Sequence, residues 1–158
     1  MDNTELINVI REAFREVKLE DGVSLNMTEY NDSGGSVKEF KQLAMTDERD
    51  DWQKIDDQTL EQFTVTFCFT DWKGFRFYLP AYMIWAIKHP HSDSIIGESV
   101  IYAIDPDSKV WLYGRTVDKI LNRAQLEAVI QFLQYCVETP DQCNADAAVN
   151  LDKMRKYL

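Results

Sequence analysis

Cysteine, histidine, glycine and proline are all scarce in this chain of 158 residues, and each shortage excludes something. The three cysteines, Cys68, Cys136 and Cys143, are odd in number and lack CxxC spacing, which argues against a disulfide framework or a zinc ribbon. Cys68 lies in an apolar run and Cys136 on an apolar helix face, so both read as small buried hydrophobes in a reducing compartment. Six glycines and four prolines are too few for long flexible linkers. There is no P-loop, no GxGxxG and no GxSxG elbow. Long apolar runs are missing too. The longest uncharged one, Leu79 to Ile87, is less than half the roughly 20 residues that span a bilayer. Met1-Asp2-Asn3-Thr4-Glu5 is acidic and polar, the wrong character for a signal peptide. These absences predict a soluble, cytoplasmic protein.

Positive charge is the other deficit. Seventeen lysines and arginines face twenty-seven aspartates and glutamates, a net charge of −10. Such a chain repels phosphate backbones and anionic membranes, so neither nucleic acid nor membrane is expected as a partner. A basic protein partner is compatible with it, and so is a charge that serves solubility alone.

The length fits one domain spanning 1–158. A 45% hydrophobic content is enough for a core, and disorder is not expected over most of the chain. Asp2 with Glu5 forms a capping box, after which Leu6, Ile7, Ile10, Ala13, Phe14 and Val17 recur at helical spacing, toward a turn at Glu20-Asp21-Gly22. Ser24 and Ser36 are caps for two further short helices, separated by a flexible Asn31-Asp32-Ser33-Gly34-Gly35 loop. Residues 46–61 form an acidic centre in which Trp52, Ile55, Leu60 and Phe63 keep one buried edge.

From Thr64 the period changes. Val65, Phe67 and Phe69 alternate with Thr66, Cys68 and Thr70 as in a strand. Asp71-Trp72-Lys73-Gly74 reads as a turn whose glycine takes positive φ. Phe75, Phe77 and Leu79 then alternate with Arg76 and Tyr78. Pro80 suits the first turn of an apolar helix from Ala81 to Lys88. The expected fold is therefore α+β: mostly helical, with one central antiparallel β-hairpin packed against helices. Further on, Ile95, Ile96, Val100 and Ile104 suggest a helix, Val110 to Tyr113 a short strand, and Asn122 with Gln125 a capping box opening the clearest amphipathic helix. Thr139, Pro140 and Gln142 suit the start of a last helix, whose end carries Lys153, Arg155 and Lys156. Phe67, Phe69, Phe75, Phe77, Leu79, Met83, Ile84, Ile87, Ile130 and Leu133 are the expected core.

The block Phe75-Arg76-Phe77-Tyr78-Leu79-Pro80-Ala81-Tyr82-Met83, with the later Leu121-x-x-x-Gln125 pattern leading to Phe132 and Leu133, resembles an uncharacterised family of small bacterial proteins. The likeness runs from about Ile10 to Tyr135 and implies a domain of unknown function. No assigned site residues come with it.

The residues offer few complete chemical sets. His89-Pro90-His91-Ser92-Asp93 looks like part of an HxHxD metal motif, but Ser94 stands where a further ligand would follow. His89 also suits a helix C-terminus without any metal. No catalytic residue, metal ligand or cofactor is assigned. Arg76 has two readings: an ion pair with Asp50, Asp51, Asp56 or Asp57, or an anion-binding arginine beside Tyr78 and Tyr82. Trp72, at a turn tip, and Trp111 with Tyr113 are either interface anchors or covered by neighbouring loops. Trp72, Arg76, Tyr78, Tyr82 and the four aspartates are the candidate binding residues. The favoured role is a non-enzymatic protein-binding module, of the neutralising or immunity type, for a basic protein. The alternative is a small hydrolase using carboxylates with His89 and His91, with or without a metal.

Overall fold

The segment expected to form a hairpin folds instead as helix. A computed structural model of the chain describes residues 1–108, 114–139 and 144–158. Among these residues there is no strand. The fold is all-α, and the expected α+β class is wrong.

The helices are α1 (Asn3–Phe14), α2 (Leu25–Ser33), α3 (Val37–Ala44), α4 (Asp57–Gln62), α5 (Thr66–Phe69), α6 (Trp72–Lys88), α7 (Ile96–Ala103), α8 (Arg123–Glu138) and α9 (Asn144–Met154). Short 3-10 turns lie at Trp52–Lys54, Val117–Lys119 and Arg155–Tyr157. Helix α6 is the hub and packs against α1, α4 and α7. Helix α8 pairs with α1 and α9, and α2 packs on α3 and α5. All but α3 contribute to one continuous hydrophobic cluster. Among the described residues no helix is long and apolar enough to cross a membrane.

Helix α6 explains the misreading. Asp71, taken for a turn residue, is its N-cap and accepts a 2.8 Å hydrogen bond from the Gly74 amide. Every residue from Phe77 to Ile87 is buried, as are Gly74 and Phe75. A helix apolar on all sides carries no 3.6-residue stripe, so the isolated Arg76 made it look alternating. Pro80 lies inside the helix rather than at its first turn. An interior proline costs about 3 kcal/mol. Burying each large apolar side chain returns about 1.5–3 kcal/mol, so the nine large side chains among the thirteen buried positions outweigh the defect.

Gly74 does not have positive φ; that geometry belongs to Gly34, which ends α2, and to Gly114. Asn31, Asp32 and Ser33 are thus the last turn of α2, not loop. What Gly74 supplies is close approach. A Cβ there would sit 1.8 Å from Thr70 Oγ1 and 2.8 Å from the Val23 carbonyl oxygen.

Other expectations fare unevenly. The capping boxes at Asp2/Glu5 and Asn122/Gln125 are present. Ser36 accepts from the Glu39 amide, whereas Ser24 precedes α2 without a side-chain cap bond. Helix α1 stops at Phe14, short of the expected turn. Of the expected core, Phe69 and Ile130 are half-buried and the rest are buried. Cys136 is buried but Cys68 is exposed, because α5 turns it outward. The expected strand at 110–113, Trp111, Tyr113, Pro140, Gln142 and Cys143 lie outside the described residues.

Candidate functional site

The acidic centre turns out to be largely structural. Asp51 caps the 3-10 turn after it, accepting from the Gln53 amide at 3.0 Å. Asp56 caps α4, accepting from the Thr59 amide at 2.7 Å, and bonds to Thr59 hold its carboxyl below the usual carboxylate range. Asp57 meets His89 Nε2 at 3.2 Å and Lys88 Nζ at 3.5 Å. Asp50 is exposed. Among the described residues none of the four pairs with Arg76.

Tyr78 and Tyr82 do not stand beside Arg76 in a cleft. One helical residue turns about 100°, so both project from the far side of α6. Tyr78 is 0% exposed, and its hydroxyl oxygen accepts from the Leu25 amide at 3.1 Å. Tyr82 is 2% exposed, and its hydroxyl donates to the Phe63 carbonyl at 2.6 Å and meets Thr66 Oγ1 at 2.9 Å. Burial pushes both phenol pKa values well above the ordinary range. Their role is to tie α2 and the start of α5 to α6.

Trp72 and Arg76 do meet, one helical turn apart. The Arg76 guanidinium lies 5.2 Å from the Trp72 ring centre, with Arg115 at 5.3 Å and Lys73 Nζ at 5.5 Å from the same ring. Lys73 is also paired with Glu20 and Asp21, which raise its pKa.

The most open apolar surface lies elsewhere, where α5, α7 and the start of α9 meet. A cavity of about 360 Å3 there has Phe67 at its base and Ile95, Tyr102 and Asp146 among its walls. Tyr102 is 81% exposed and Ile95 51%, large values for apolar side chains side by side. Glu98 and Asp146 supply its charge, and no lysine or arginine lines it among the described residues. Neither carboxylate has an ion-pair partner among those residues. Ile95 and Glu98 also border a polar cavity of about 280 Å3 at the end of α6, and Tyr102 and Asp146 border a smaller one beside Val149 and Lys153. Through these shared residues the three cavities adjoin along α7, and together they are called the α7 groove. Lys153, its cation, is bound by Asp105 and Asp107 at 2.9 Å each.

Sequence reasoning missed this groove, although α7 carried a signal. Ile96, Val100 and Ile104 make one buried stripe, which leaves Ile95 and Tyr102 as apolar residues on a second face.

Both histidines of the motif are near the groove's polar end. His89 closes α6, stacks on Trp85 with ring centres 4.6 Å apart and bonds Asp57. Among the described residues it is hydrogen-bonded to no hydroxyl or thiol. His91 is exposed. No group of three or more His, Cys, Asp or Glu side chains among the described residues is arranged to hold a metal ion.

An all-helical domain with an apolar, acid-lined groove is the class that the fold and surface define. The chain belongs to a protein family described as a family of unknown function (DUF6714), whose pattern matches residues 2–158. Comparison with curated proteins and with solved structures gave no match.

Proposed function

We propose that this protein is a non-enzymatic binding module whose α7 groove takes a basic segment of another protein, anchored by one bulky apolar side chain. The observation that carries the reading is the groove's composition: exposed Tyr102 and Ile95 flanked by the carboxylates of Glu98 and Asp146, which have no ion-pair partner among the described residues. Apolar area supplies affinity, and the carboxylates, backed by a net charge of −10, select and steer a cationic partner. A neutralising or immunity-type role toward a basic protein fits this chemistry, with a bacterial source and a cytoplasmic location as parts of the same proposal. Nucleic acid and anionic membranes are disfavoured by the same charge. The hydrolase alternative has no comparable observation behind it, since His89 is engaged with Asp57 and Trp85.

Panning a random peptide library against the purified protein tests the reading. Enriched peptides should carry lysine or arginine around a large apolar residue, and should weaken as salt rises. Tyr102→Ala should weaken them about tenfold. Glu98→Lys with Asp146→Lys should abolish binding by reversing the groove's charge, while Glu98→Gln with Asp146→Asn should weaken it with less disturbance of the first turns of α7 and α9, where both acids lie. Peptides without basic residues, or binding indifferent to these variants, would refute it.

A further inference from the structure

A second cavity, sharing no residue with the α7 groove, contains an unusual arginine. It measures about 510 Å3, within the size range of small-ligand sites, and lies between residues 16–20, α6 and the start of α8. Arg76 lines it, and its Nε is buried with no hydrogen-bond partner among the described residues. A buried guanidinium nitrogen left without an acceptor is costly, and this chain has twenty-seven carboxylates with which to avoid that cost.

Of the three carboxylates that line the cavity, Glu16 is exposed and has no ion pair among the described residues, and the other two are turned elsewhere. Glu20 lines the cavity but pairs with Lys73 at 3.0 Å, and Asp118 lies 3.8 Å from Lys119. Arg76 rests instead on the Trp72 face, where Arg115 and Lys73 also converge. Cations crowded round one indole repel each other, and stacking on the ring offsets only part of that repulsion. Lys73 is neutralised there by Glu20 and Asp21, whereas among the described residues neither Arg76 nor Arg115 has an ion-pair partner. The walls hold it in place. Arg49 donates to the carbonyls of Glu20 and Gly22 at 3.0 and 3.3 Å, and Glu20 takes a left-handed φ of 57°. On the opposite wall, the Asn122/Gln125 capping box fixes the start of α8.

We infer that this cavity is an oxyanion-binding site, in which Arg76, held against Trp72, grips a phosphate or carboxylate group and Lys18 attracts it at the rim. An oxyanion entering there supplies the counter-charge that the fold withholds. After a small rotation of the guanidinium it also supplies an acceptor for Nε. Arginine suits the task because its planar fork matches both groups in two-point contact. Lys18 lines the cavity and has no ion pair among the described residues.

Titration of the whole protein with inorganic phosphate and, separately, with acetate decides the matter. Both are run at constant ionic strength against chloride, following tryptophan emission and the melting temperature. A saturable response to at least one anion is expected, and the stronger arm identifies the group. Arg76→Gln should weaken that response tenfold or more, the loss expected for charge-assisted hydrogen bonds. Lys18→Gln, an exposed change that leaves the fold intact, should weaken it severalfold. If Arg76→Gln does not fold, the Lys18→Gln comparison alone decides. No saturable response to either anion, or an unchanged one in the folded variants, overturns the inference.

Discussion

Tyr78 and Tyr82 make the stability of this protein fall in alkali, by an amount that the structure sets. Each phenol is buried, and burial holds its folded-state pKa well above its unfolded value. A group of this kind contributes stability that is complete below the unfolded pKa, about 10, and is lost as pH rises toward the folded pKa. In that window the unfolded chain releases a proton that the native chain keeps. Each tyrosine then removes about 1.4 kcal/mol per pH unit, and the pair about 2.7. Tyr78→Phe separates this effect from ordinary packing. At neutral pH it leaves the buried Leu25 amide without its acceptor, at a cost of about 2 kcal/mol. The variant does not suffer the Tyr78 part of the alkaline loss. The gap to the parent should shrink to about 0.6 kcal/mol near pH 11, vanish near about pH 11.5 and reverse by about pH 12. Urea unfolding at a series of pH values measures it. Lysine and thiol titrations common to both proteins cancel in the difference. A gap that stays constant with pH would refute the linkage.

Two more outcomes follow from the start of α6. Gly74→Ala should destabilise by about 3 kcal/mol or more, because its Cβ collides with Thr70 and the Val23 carbonyl; thermal unfolding within about 1 kcal/mol of the parent would contradict the packing. Asp71→Ala should cost about 2 kcal/mol, since its carboxylate holds both the Gly74 amide and, at 3.1 Å, the Val23 amide, while Asp71→Asn should recover much of that loss.

How much of this was legible depended on whether a segment has one buried face or several. Helices α1 and α8 were readable because each combines a capping box with a one-sided apolar stripe. Helix α6 was not, because neighbours surround it. With Phe75, Phe77 and Tyr78 all inside, hydrophobicity no longer reports the backbone period. The short α5 compounded the error, since four residues cannot display a helical repeat. At the candidate sites the sequence reading put Trp72 at a turn tip and Arg76 in a strand; the helix brings the two together, a contact that reading did not contain. It could not show that Tyr78 and Tyr82 turn away, because that depends on the 3.6-residue geometry it had missed.

The acid surplus shows why charge alone is a weak guide to a site. A strongly negative segment invites the idea of an interaction face, and residues 46–61 are the densest such segment. Yet Asp51 and Asp56 spend their carboxylates on helix amides, Asp47 holds the Asn26 amide at 2.9 Å, and Asp57 meets a histidine and a lysine. A carboxylate committed to a cap would have to release its amides before gripping a partner's cation, and each release costs about 1 kcal/mol. Among the described residues Glu98 and Asp146 hold no cap amide, and they stand beside exposed apolar surface. The same logic, inverted, picks out Arg76: among abundant acids, the informative arginine is one with no acidic partner among the described residues. Partnership, more than density, separates charge that builds this protein from charge that is free to meet something else.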